Sequence, residues 1–81
     1  MKKVYKFSAT WCGPCKMLSK TLSTIESPLE IQEIDVDQNQ ELAQQFRIRG
    51  VPTLVIMDGD TEVKRKSGAM SAQEYLQWVN S

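Results

Sequence analysis

The spacing of apolar and polar residues changes period several times along this chain, and each change marks an element. Lys3–Ser8 holds the apolar, β-prone run Val4-Tyr5-Lys6-Phe7 and is predicted as a strand. Apolar residues point to both of its faces, as in an inner strand, although Lys6 also suits an edge strand with its ammonium in solvent. Leu18, Leu22 and Ile25 then recur at i, i+4, i+7, which predicts a helix from Lys16 to about Glu26, stopped by Ser27-Pro28. Glu30–Asp37 alternates again and is predicted as a strand. The step from Ile31 to Ile34 breaks the alternation and leaves its facing open.

Asp37-Gln38-Asn39-Gln40 opens a second helix, with Asp37 as N-cap and Gln40 completing a capping box, or with Asn39 as the cap. Leu42, Ala43 and Phe46 form its apolar stripe, and Arg49-Gly50 its end. Thr53–Met57 and Thr61–Arg65 flank Asp58-Gly59-Asp60, a tight hairpin signal. Ser71-Ala72-Gln73-Glu74 is a capping box for a last helix with Tyr75, Leu76 and Val79 inward. The order is β-α-β-α-β-β-α. A helical crossover joins the first two strands, so they should be parallel with a right-handed connection. The expected architecture is α/β: a four-stranded mixed sheet flanked by three helices, in one domain spanning 1–81.

Composition narrows what such a domain can do. Ten acidic residues balance ten basic ones, and they are mixed along the chain, so neither a nucleic-acid surface nor a charged tail is indicated. Behind Met1-Lys2-Lys3 the apolar run is too short for a secretory signal or a membrane span, so a cytoplasmic protein without a membrane partner is expected. There is no histidine, which removes the commonest general base and metal ligand. Acid–base help must come from a carboxylate, a lysine or water.

Both cysteines lie in Trp11-Cys12-Gly13-Pro14-Cys15, where the first strand hands over to the first helix. At a helix start the free N–H groups and the positive dipole end favour a thiolate at Cys12. Pro14 fits the first turn, where its missing N–H costs nothing, and Gly13 keeps bulk out of the approach path. A two-residue spacer lets the sulfurs reach bonding distance. The pair closes too small a loop to staple a fold, so it reads as a redox site. A zinc site would need two more ligands from a second chain or from carboxylates, so no metal is expected.

With Trp-Cys-Gly-Pro-Cys-Lys at a strand–helix junction, the chain resembles the thioredoxin family. Asp35-Val36-Asp37-Gln38-Asn39 is similar to the family's segment leading into its second helix. Arg47-Ile48-Arg49-Gly50-Val51-Pro52-Thr53 is similar to its cis-proline loop, and Gly68-Ala69 to the small-residue turn before its last helix. The resemblance implies a minimal, N-terminally shortened thioredoxin fold of glutaredoxin-like size. It also implies a monomeric protein-disulfide reductase. Cys12 would attack a target disulfide and Cys15 would resolve the mixed disulfide. Pro52 would be the cis-proline, leaving Val51 free to pair with a substrate strand, while Trp11, Gly68 and Ala69 would border the substrate. No bound cofactor is implied beyond the Cys12–Cys15 disulfide; NADPH would serve a thioredoxin reductase that acts as electron donor. A glutaredoxin-like enzyme reduced by glutathione is the alternative, and a redox-inactive binding subunit is a third class.

The chain departs from the family pattern in ways that bear on the site. Lys6 stands where the family has a buried acid, and Glu33 where it has that acid's lysine partner, so the pair is inverted. Ser8 replaces a usual aromatic residue, and Lys20 a usual helix-kinking proline. A Lys6–Glu33 pair behind the cysteines is expected, with Lys6 stabilising a thiolate or Glu33 moving a proton; the former is favoured because Lys6 lies on the strand entering the CxxC. Two solvated residues at the sheet surface are the plainer alternative.

Overall fold

A computed structural model describes residues 1–81, and its element order is the expected one. The elements are β1 (Lys2–Ser8), α1 (Gly13–Leu22), β2 (Glu30–Asp35), α2 (Gln40–Gln45), β3 (Thr53–Asp58), β4 (Thr61–Ser67) and α3 (Ala72–Asn80). The strands form one mixed sheet in the order β2-β1-β3-β4. β1 and β2 are parallel, and β1–β3 and β3–β4 are antiparallel. β1 is therefore an inner strand, which settles the choice that Lys6 left open: this lysine is buried at 2% exposure.

Alternation along β1 and β3 feeds two apolar layers, one per face. Val4, Leu54 and Ile56 pack with Leu18 and Leu22 of α1 and with Tyr75 of α3. Phe7, Val55, Met57 and Ile34 pack with Leu42 and Phe46 from α2 and its C-cap. The broken alternation of β2 is resolved by this division. Ile31 joins the α1–α3 layer and Ile34 the α2 layer, so Glu33 and Asp35 share the face of Ile31.

The helix ends differ from expectation, and local hydrogen bonds explain why. α1 begins at Gly13 because Cys12 itself caps it, accepting the Cys15 N–H. It stops at Leu22, short of Ser27-Pro28, where the Ser23 and Thr24 hydroxyls bond the Lys20 and Thr21 carbonyls. Asp37 does not cap α2; Asn39 holds the cap position without a side-chain bond to the helix, and β2 has already ended at Asp35. α2 stops at Gln45 rather than near Gly50. The Arg47 N–H bonds the Gln44 carbonyl and the Ile48 N–H the Ala43 carbonyl, a Schellman closure with Arg47 left-handed at φ 55°. The hairpin turns at Gly59-Asp60 as expected, and the Ser71–Glu74 capping box is formed in both directions.

Candidate active site

β1 runs through the sheet centre and delivers the chain, by way of Ala9-Thr10-Trp11, to the N-terminus of α1. Cys12 and Cys15 are joined as a disulfide with their Cα atoms 5.2 Å apart, and both are buried, at 4% and 2% exposure. Cys12 Sγ accepts the Cys15 N–H at 3.1 Å, so the sulfur occupies the place where a capping oxygen would sit. An anion formed there meets the free amides of the first turn. Gly13 and Pro14 are exposed beside it, and a Cβ on Gly13 would project into open space.

Across from the cysteines lies the loop before β3. The Val51-Pro52 bond is cis, Pro52 is buried, and the Val51 carbonyl oxygen is 3.7 Å from Cys12 Sγ. The Val51 amide has no hydrogen bond within the chain, which leaves it available to an incoming backbone. Gly68, at φ 90°, donates its N–H to the Pro52 carbonyl at 2.9 Å and so ties the turn after β4 to this loop. Ala69 follows it at the surface. Trp11 is 69% exposed, and its Nε1–H donates to Asp37 Oδ2 at 2.8 Å, which anchors the indole beside a shallow apolar hollow lined by Val36, Ile48 and Val51. Asp37, expected as a helix cap, is therefore spent on the indole.

Lys6 and Glu33 are direct partners in the β1–β2 register and form the expected ion pair. The Lys6 ammonium donates to both Glu33 carboxylate oxygens, to Oε2 at 3.1 Å, and to the Ser19 hydroxyl on α1. The partners are unlike: the Lys6 side chain is 3% exposed and that of Glu33 57%. Ser19 stands one helical turn beyond Cys15, so the pair lies behind the cysteines rather than against them. Asp35, not singled out from the sequence, lies in the wall of a cleft that Cys15 also lines. The small Ser8 opposite it was the only sequence signal for that cleft.

A cysteine pair at a helix head, fed by a central strand and faced by a cis-proline loop, is a redox pair of the thioredoxin type. The chain belongs to the thioredoxin family, whose model matches residues 2–81. Thioredoxin C-3 of Corynebacterium nephridii is 40% identical over 75 residues, 89% of this chain and 52% of that protein. A bifunctional thioredoxin reductase/thioredoxin of Mycobacterium leprae is 43% identical over 67 residues, 78% of this chain and 15% of the relative. This chain thus spans about half the length of the first relative and a small part of the second. A mutant thioredoxin from Halobacterium salinarum superposes with a TM-score of 0.88 at 33% identity, over 98% of this chain and 72% of that one.

Proposed function

We propose that the protein reduces protein disulfides by dithiol–disulfide exchange through Cys12 and Cys15. The observation that carries this reading is the Cys12–Cys15 bridge at the head of α1, with one sulfur in the capping position opposite the Val51-Pro52 loop. Cys12, reduced to a thiolate, attacks a target disulfide, and Cys15 displaces the target from the resulting mixed disulfide. The free Val51 amide pairs with the backbone of the target, while Trp11, Pro52, Gly68 and Ala69 border it. Gly13 and Pro14 keep the approach open.

The electron donor is a thioredoxin reductase drawing on NADPH. The reductase/thioredoxin fusion among the relatives supports this pairing. A reductase role belongs in the reducing cytoplasm, and no helix is long and apolar enough to cross a membrane. The test is reduction of an insulin-type disulfide substrate, first with dithiothreitol and then with NADPH and a thioredoxin reductase. Cys12→Ser should abolish turnover in both. Turnover supported by glutathione but not by the reductase would move the protein to the glutaredoxin-like alternative, and undiminished function without Cys12 would make it a binding subunit.

A further inference from the structure

We propose that Asp35 receives the proton of Cys15 in the resolving step, through a cleft that Ser8 leaves open; this rests on the exchange reading above. Ser8 and Asp35 are register partners at the ends of the parallel strands β1 and β2. Together with Cys15, Lys16 and Ser19 they line a cleft of about 270 Å³, room for several waters at roughly 30 Å³ each. A large side chain in place of Ser8 would fill part of that space.

The Asp35 carboxylate is held ready. Its Oδ1 accepts the Asp37 N–H at 2.8 Å, and its other oxygen has no partner in the chain. The buried lysine and the two neighbouring acids are engaged elsewhere. The Lys6 ammonium has no lone pair to offer and is engaged by Ser19 and Glu33. Glu33 is held by that ammonium beyond Ser19, and Asp37 is held by Trp11. Charged groups around the cleft are therefore Lys16 from α1, Lys6 from β1, and Glu33 and Asp37 flanking Asp35. Of the three carboxylates only Asp35 lines the cleft beside Cys15.

In the mixed disulfide, Cys12 Sγ is bonded to a target sulfur and Cys15 is a thiol. Its proton passes by way of water to Asp35, and the thiolate attacks Cys12 Sγ. The Cys12–Cys15 bond forms as the Cys12–target bond breaks. The departing target thiolate takes a proton from solvent, and Asp35 returns its own to solvent. Two electrons have moved from the dithiol to the target.

Mixing the reduced protein with one equivalent of an aromatic disulfide that releases a coloured thiolate separates the two attacks, one release by Cys12 and one by Cys15. Asp35→Asn keeps an acceptor for the Asp37 amide and removes only the base. It should leave the first release within about twofold and slow the second roughly 10- to 100-fold at neutral pH. The second release should then rise about tenfold per pH unit, following hydroxide. Ser8→Phe, with Asp35 intact, should slow the second release in the same direction by closing the cleft. A second release in Asp35→Asn within about twofold of the parent from about pH 6 to 9 overturns the proposal. A sluggish first release in the parent itself would instead overturn Cys12 as nucleophile, and the Asp35 role with it.

Discussion

Consider replacing the two partners of the half-buried Lys6–Glu33 pair one at a time, Lys6 by methionine and Glu33 by alanine. Their environments differ, and the consequences should differ with them. Lys6→Met removes the buried charge and leaves Glu33 free to be solvated, since its side chain is already 57% exposed. Methionine refills most of the volume of the lysine stem among Leu22, Ile31 and Ser19. Exchanging a buried charge for a hydrophobe of similar shape is often neutral or favourable, so a change within about 1 kcal/mol is expected.

Glu33→Ala does the reverse. It leaves an ammonium 3% exposed with the Ser19 hydroxyl as its only partner. Stranding a fully buried charge costs about 3–5 kcal/mol. Water can enter where Glu33 stood at the sheet edge, which reduces the expected loss to about 1.5–3 kcal/mol. A chain of 81 residues has a total stability of about 4–12 kcal/mol, so the loss is readily measured. Urea unfolding followed by the fluorescence of Trp11 and Trp78 should show the Glu33→Ala midpoint falling by roughly 1–2 M at unchanged slope. The double variant should return close to Lys6→Met. Equal losses in the two single variants, or a Glu33→Ala loss below about 0.5 kcal/mol, would refute the argument.

If Lys6 favours the anion at the cysteines, Lys6→Met should lower the alkylation rate of Cys12 at neutral pH; an unchanged pH profile of iodoacetamide reaction removes that role. Arg47→Gly should stabilise the fold by about 0.5–1 kcal/mol in the same urea assay, because a left-handed L-residue costs about 1–2 kcal/mol and glycine returns part of that as backbone entropy. Burial holds the Tyr75 hydroxyl above its ordinary value of 10.0, partly opposed by its hydrogen bond with Ser27. The unfolded chain therefore releases this proton first, and the Tyr75 contribution to stability is full below pH 10 and declines above it. Tyr75→Phe should remove this alkaline decline in a pH series of thermal melts.

Sequence periodicity reached the architecture because the elements here are short and their patterns match their environments. Val4 and Phe7 serve opposite layers of an inner strand, and the Ser71–Glu74 box states where α3 begins. The helix ends were not legible in the same way. Ser23, Thr24 and Asp37 each had a choice of backbone or side-chain partner, and tertiary geometry decided it. Arg47 carries no left-handed preference, so nothing at residue 47 announced the end of α2.

The site divides along the same line. Cys12, Cys15 and their place at a helix head follow from local chemistry, whereas the cis geometry at Pro52 came only through family likeness, since most X-Pro bonds are trans. The Lys6–Glu33 contact was likewise expected through family likeness, as an inverted acid–lysine pair, and the parallel register of β1 and β2 sets the two residues side by side. Asp35 was not, although it is the next residue on that same face. In the sequence it reads as one more solvent-facing acid in an alternating strand. Its significance depends on a volume, the cleft beside Cys15, and that volume depends on how small Ser8 is. A residue's chemistry can be read from its type, but its access to a reacting sulfur is set by what its neighbours fail to fill.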